Sequence, residues 1–217
     1  MNLNLLGYFR SGTSYRVRIA LNYKGQSYSQ DPVNLLEARH HDEAYRAHQP
    51  QGLVPTLQAD GEDLIQSPAI LEWIEESWPT PPLLPSDPRE RAHVRAFAAV
   101  IGCDIHPIQN LRIMKHIKAT YGLDQDGALE WARHWIHSGF EALEKLAHLH
   151  GKEGDFIFGD APTMAEVYLV PQMYNARRFG VPLDHFPHLV RADAAATAHP
   201  AFEQAHPSNQ PDAPHED

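Results

Sequence analysis

Five prolines stand among the ten residues from position 79 to position 88. A proline lacks the backbone N–H that a helix interior or a central strand requires, so no regular element runs through this stretch. The chain is therefore read as two parts. Before the prolines, apolar residues alternate between strand and helix patterns. Residues 3–8 form a short apolar strand, and Val17, Ala20 and Leu21 follow at helical spacing. Residues 27–33 read as a second strand and residues 39–48 as an irregular helix. Residues 56–59 and 63–65 flank the turn pair Asp60-Gly61 and predict a hairpin, and a helix carrying Ile70, Leu71 and Ile74 starts at Ser67. The order β-α-β-α-β-β-α predicts a small mixed sheet with helices on its faces.

Beyond the prolines the pattern is helical. Val94, Phe97, Ala98, Ile101 and Ile105 recur at three and four residues, as do Leu129, Ala132, Ile136, Leu143 and Leu146. Pro107 is expected to kink or end the first long helix. Thr163 and Glu166 have the Thr-x-x-Glu spacing of a capping box. Trp131, Trp135 and Phe140 share a helical spacing and read as core. The Pro-rich, polar residues 207–217 read as a disordered tail. The expected organisation is an α/β domain over 1–80, a linker over 81–87, an all-α domain over 88–206 and that tail.

The formal net charge of −10 is spread over a sequence without a basic run, which excludes a phosphate-backbone partner; no nucleic acid is expected. No apolar run approaches the ~18 residues of a membrane span, and residues 1–10 lack the pattern of a secretory signal. The single cysteine, Cys103, cannot form an intramolecular disulfide. A cytoplasmic protein with no membrane partner is expected. The 15 histidines include His134 and His137, His148 and His150, and His40 and His41, but no cysteine cluster or HExxH pattern accompanies them. No metal site is predicted.

Three segments carry chemistry. Phe9-Arg10-Ser11-Gly12-Thr13-Ser14 lies where the first strand meets its helix, and the unpaired N–H groups of a helix start stabilise an anion such as a thiolate. The same hydroxyls also serve as plain helix caps. Val54-Pro55-Thr56 places a proline at a strand entrance, where a cis bond exposes the preceding backbone to an extended peptide; most such pairs are trans. Gln66-Ser67-Pro68 enters a helix with proline just inside it, a seat for a carboxylate or an ordinary N-cap.

Together, and in this order, these segments resemble the glutathione transferase family. The run Phe9-Arg10-Ser11 with Arg16-Val17-Arg18-Ile19-Ala20-Leu21 is similar to its zeta class, which contains maleylacetoacetate and maleylpyruvate isomerases. The likeness extends through Cys103-Asp104-Ile105-His106-Pro107 to Pro162-Thr163 and Ala165-Glu166. It implies a thioredoxin-like N-terminal domain, an all-α C-terminal domain, a homodimer, and glutathione as cofactor. By the same resemblance Ser11 holds the glutathione sulfur as thiolate, with Thr13 and Arg10 beside it. Val54 and Pro55 pair with the cysteinyl unit, and Gln66 and Ser67 bind the γ-glutamyl carboxylate. His40 and Gln51 lie near the glycyl end, and Asp104 or His106 reaches glutathione from the helical domain. The zeta pattern has Ser-Ser-Cys where this chain has Ser11-Gly12-Thr13, Trp at Tyr15 and Gln at Leu53; no enzyme thiol is available, so the chemistry implied uses glutathione's own sulfur.

That chemistry is reversible addition of a thiolate to a cis alkene flanked by a carboxylate and a ketone, which removes the double bond long enough for rotation. The small dicarboxylate calls for guanidinium partners, and the candidates are Arg10 and Arg178, with Arg112 and Asn110 as helpers. For Arg177 a solvated helix face is expected. The substrate expected is maleylpyruvate; maleylacetoacetate, glutathione conjugation of an apolar electrophile, and a binding module with a decayed thiol site are the alternatives.

Overall fold

The computed structural model describes residues 1–214, which divide into two compact units, Met1–Pro82 with the C-terminal residues from Ala198, and Leu83–Thr197. In the first unit the strands β1 (Leu3–Gly7), β2 (Ser29–Pro32), β3 (Thr56–Ala59) and β4 (Glu62–Ile65) form one sheet in the order β2-β1-β3-β4. β1 runs parallel to β2 and antiparallel to β3, and β3 pairs antiparallel with β4. Leu3, Leu5 and Leu6 of the interior strand β1 are buried, which is why it reads as a continuous apolar run. The edge strand β2 is largely exposed. Asp60 and Gly61 both have positive φ, 49° and 90°, as a two-residue hairpin turn requires.

Helices α1 (Gly12–Tyr23), α2 (Glu43–His48) and α3 (Ser67–Ser77) complete the element order read from the sequence. Ile70, Leu71 and Ile74 form the buried stripe of α3. Below the sheet a buried ion pair ties two helices: Lys24 Nζ donates to Glu75 at 2.5 Å and to the Pro81 carbonyl at 2.6 Å.

The expected disordered tail is not what the described residues show. Helix α10 (Pro200–Ala205) packs on α1, and Pro207, Gln210 and Ala213 beyond it are buried. Specific partners supply the order that composition does not predict: the Gln210 amide donates to the carbonyls of Gln204 and His206, both at 2.8 Å, and Arg18 Nε donates to the Ala205 carbonyl at 3.0 Å. Residues 215–217 of that expectation lie outside the described residues. The stretch 198–206, expected with the helical domain, belongs to the first unit.

The second unit holds α4 (Pro88–Ala99), α5 (His106–Gln109), α6 (Leu111–Tyr121), α7 (Gln125–His150), α8 (Met164–Phe179) and α9 (Pro187–Thr197). Residues 81–87 are not a free linker, because Leu83 and Leu84 are buried and the Leu83 carbonyl accepts the Met164 N–H at 2.7 Å. Nor does Pro107 kink a long helix. A π-helical turn, Val100–Ile105, ends α4 first, and Pro107 then sits in the first turn of α5, where a missing N–H costs little. In α7, Ala132, Ile136, Phe140 and Leu143 face the core as the spacing predicts. Trp131 and Trp135 do not: Trp131 is half-buried with its indole N–H on the Ile108 carbonyl at 2.8 Å, and Trp135 is exposed. Both fall off the Ala132–Ile136–Leu143 stripe, and aromatic spacing alone does not say which face is inside. Among the described residues no helix is long and apolar enough to cross a membrane.

Candidate functional site

The turn between β1 and α1 places Ser11 as the N-cap of α1. Its Oγ accepts the Ser14 N–H at 3.3 Å and lies 2.9 Å from Thr13 Oγ1. Thr13 in turn donates its hydroxyl proton to the Val54 carbonyl at 2.8 Å. Since that proton is committed, the short Ser11–Thr13 contact is filled by the Ser11 proton, with Thr13 as acceptor. Ser11 thus caps the helix with its lone pair and keeps a movable proton. Thr13 is fixed as a strut between the helix start and the loop before β3. Ser14 is fully buried, and its Oγ takes the Tyr8 N–H at 3.4 Å; a Cβ on Gly7 would lie 3.0 Å from that Oγ. Tyr15 points into the core, edge-on to the His206 ring, and takes no part in the site.

The peptide bond between Val54 and Pro55 is cis. Val54 packs on the buried cluster of Leu6, Val33 and Tyr45, while the Tyr45 hydroxyl donates to the Leu53 carbonyl. Burial pushes the Tyr45 phenol up to about 12, so it remains a donor. Residue pattern did not single out Tyr45; an aromatic residue on a short helix carries no mark of the carbonyl it will reach.

Gln66 precedes α3 with φ 69° and makes no side-chain cap bond, so the helix start is not capped in the ordinary way. A non-glycine residue held at positive φ costs about 1–3 kcal/mol and persists where the surroundings or a function demand it. Its amide donates to Gln51 Oε1, which brings the two predicted residues together. Ser67 is buried in the first turn. The Gln51 N–H donates to Oε1 of the buried Gln49 at 2.6 Å, and Gly52 (φ 63°) passes so close to the His40 carbonyl that a Cβ would lie 2.8 Å from it. His40 is buried with its ring against His41, so backbone proximity rather than an exposed imidazole links it to Gln51.

Arg10 lies with its guanidinium 5.7 Å from the Phe9 ring centroid. In the second unit, Asp104 is exposed on the π-helical turn and His106 is half-buried just after it. Asn110 is the N-cap of α6, its Oδ1 accepting the Ile113 N–H at 3.2 Å, and Arg112 is exposed in that helix's first turn. The buried Gln109 before them donates to Gln172 of α8 at 3.0 Å. Arg178 is exposed on α8; its Nη1 donates to Oδ1 of the buried Asn175 at 3.2 Å, which steadies the guanidinium from behind. Arg177 is exposed on α8, as expected, and it also pairs with the buried Asp193 at 2.5 Å. Among the described residues no three His, Cys, Asp or Glu side chains gather as a metal-ligand set.

Neither α1 nor α3 has an acidic residue in its first turn, and the same holds for α6. Their positive helix ends are left for an anion. A thiol and a carboxylate on one small peptide fit the first two.

Residues 5–82 match the model of the glutathione S-transferase N-terminal domain family. The maleylacetoacetate isomerase of Pseudomonas aeruginosa is 51% identical over 98% of this chain and 99% of its own. A holo structure of maleyl pyruvate isomerase, a bacterial zeta-class glutathione S-transferase, superposes with a TM-score of 0.95 at 48% identity, covering 97% of this chain and 100% of that one. A maleylacetoacetate isomerase from Anaeromyxobacter dehalogenans with glutathione bound in its active site has a TM-score of 0.88 at 43% identity, with 98% of each chain covered. A thioredoxin-like unit with two carboxylate-free helix starts, continued by an all-α unit and matched along nearly its whole length, belongs to the glutathione transferase family, in the zeta class of the maleylacetoacetate and maleylpyruvate isomerases.

Proposed function

We propose that this enzyme isomerises maleylpyruvate to fumarylpyruvate with glutathione as cofactor. The observation that carries the reading is the chain of bonds Ser11–Thr13–Val54. Because Thr13 spends its proton on the Val54 carbonyl, the Ser11 proton is the one that turns toward a bound anion, and Ser11 is assigned the thiolate donor with Thr13 its support. Glutathione supplies the sulfur that adds to and leaves the alkene.

The chain's own residues do the rest. The Val54 and Pro55 segment offers backbone to the cysteinyl unit, and Gln66 with the N–H groups around Ser67 takes the γ-glutamyl carboxylate. Gln51 and His40 border the glycyl end, and Asp104 and His106 are assigned supporting contacts. Arg10 and Arg178 are the carboxylate-binding cations, with Arg112 and Asn110 as helpers; a guanidinium binds a carboxylate through two parallel bonds. A homodimer is proposed as the working form, with light scattering expected to give twice the 24.5 kDa of one chain. The reducing cytoplasm suits a glutathione-dependent enzyme with one free cysteine.

The test is to incubate the protein with maleylpyruvate, with and without glutathione, and follow the ultraviolet spectrum. Conversion only with glutathione is expected; no change in either sample overturns the assignment. The 51% identity to a maleylacetoacetate isomerase favours a second reading with the substrate one carbon longer. A comparison of kcat/KM for the two substrates decides between them.

A further inference from the structure

We infer that Asp212, far along the chain from Ser11, is a positioning residue for the thiolate-binding turn. The inference rests on the reading of Ser11 given above. Phe9 stands two residues before Ser11; its N–H is held by the C-terminal segment, and its carbonyl by Arg18 of α1, which is itself bonded to that segment. Its N–H donates to Asp212 Oδ2 at 2.9 Å. Its carbonyl accepts Arg18 Nη2 at 2.9 Å, while the same guanidinium donates through Nε to the Ala205 carbonyl at 3.0 Å. One clamp therefore grips the turn from both sides. Burial lowers the Arg18 guanidinium to about 10, with Tyr28, Tyr15 and Asp212 opposing that shift, so it stays charged at neutral pH.

What lies downstream of the clamp is the site. The turn closes with the Ser11 N–H on the Tyr8 carbonyl at 3.0 Å, so Phe9 and Arg10 span the same short loop. The Phe9 ring also carries the Arg10 guanidinium on its face. If the Phe9 peptide swings, Ser11 Oγ and Arg10 swing with it, and an error of about 1 Å in such a group is enough to cost about 100-fold in rate. The segment that holds Asp212 is itself fastened: Gln30 donates to Gln210 at 3.1 Å, and the Ala213 N–H closes a turn on the Gln210 carbonyl at 3.0 Å. The carboxylate is thus built into place rather than carried on a loose end.

Wild type, Asp212→Ala and Asp212→Asn are compared by amide exchange of the ligand-free protein, by calorimetric glutathione affinity and by turnover. Asparagine keeps an acceptor oxygen for the Phe9 N–H; alanine removes it. The alanine variant is expected to exchange the Phe9 amide about tenfold faster and to bind glutathione about tenfold more weakly, with kcat reduced and the melting temperature nearly kept. The asparagine variant is expected within about twofold of wild type on every readout. Should alanine prevent folding, Asp212→Glu, which moves the acceptor by one methylene, gives losses in the same direction. Wild-type exchange and affinity in Asp212→Ala, or an asparagine variant as damaged as alanine, overturns the inference. Failure of wild type to bind glutathione would instead sink the functional reading, and the ligand-free exchange still reports on the clamp.

Discussion

Helices α8 and α1 both begin at a hydroxyl residue, yet one start is closed and the other open. At α8 the Thr163 hydroxyl accepts the Ala165 N–H at 3.2 Å, and Glu166, three residues on, returns to the cap. Glu166 is fully buried and takes the N–H groups of Ile157 at 2.8 Å and Thr163 at 2.7 Å, as well as the Thr163 hydroxyl at 2.9 Å. The donors at this start are thus met by the carboxylate, the Thr163 hydroxyl and the Leu83 carbonyl. At α1 the position equivalent to Glu166 is Ser14, turned inward to Tyr8, and no acidic side chain stands in the first turn. At α9, which also lacks an acidic residue in its first turn, Glu144 reaches across from α7 to accept the His188 and Leu189 N–H groups at 3.0 and 3.2 Å. The lesson is that a helix start becomes a place for ligand when the protein withholds the carboxylate it provides elsewhere.

Removing the carboxylate from the closed start has the largest expected effect. Glu166→Ala leaves buried donors without an acceptor and should cost about 4 kcal/mol in denaturant unfolding, with glutathione affinity of the folded protein unchanged. Burial holds the Glu166 carboxyl above its ordinary value despite the donors from Ile157 and Thr163. A raised folded value means the folded state holds the proton more tightly. The group's contribution is therefore full below its unfolded value of about 4.5 and is lost as pH rises through the folded value. Glu166→Gln should flatten the pH dependence of stability between the unfolded value and the raised folded one; an unaltered slope would contradict the assignment.

Changes at the proposed substrate cation and at the open starts act on ligand binding instead. Arg178→Ala should lower kcat/KM for the dicarboxylate about 100-fold and leave glutathione affinity within about twofold, since a bidentate cation is lost from the substrate and not from the cofactor. Equal loss of both would reject the division of labour. Ala69→Glu supplies α3 with the carboxylate it lacks, at the capping-box position. It should raise stability by about 0.5 kcal/mol while weakening glutathione binding about tenfold. Gln66→Gly relieves the positive φ and should gain up to about 1 kcal/mol of stability, with a loss of about threefold in glutathione affinity, measured by melting and calorimetry. Stabilisation without loss of binding in either variant would break the comparison.

Much of this contrast is legible in the sequence. The spacing of Thr163 and Glu166 marks a closed cap, and Ser11, Val54-Pro55 and Gln66-Ser67 mark the candidate seats, because caps and turns are local chemistry. The β-α-β-α-β-β-α order follows from apolar periodicity for the same reason. What pattern does not reveal is long-range. Asp212 and Phe9 lie 203 positions apart, and a Pro-rich polar segment reads as disorder until its partners are known. The bond from Tyr45 to the Leu53 carbonyl and the pairing of Arg177 with Asp193 are hidden likewise, since each depends on which faces meet. The π-helical turn before Pro107 is decided by packing, with Ile105 pressed against Gly139 so closely that no Cβ would fit there.

The central claim is that the start of α1 holds a thiolate through the Ser11 hydroxyl proton, which turns from Thr13 to the bound sulfur. An ultraviolet titration of glutathione bound to wild type and to Ser11→Ala tests it most directly. The wild-type thiol should ionise at least about one pH unit below the ordinary cysteine value of about 8.5, and the alanine variant should lose about one unit of that shift, equivalent to about 1.4 kcal/mol. An identical midpoint in the two proteins would contradict the claim.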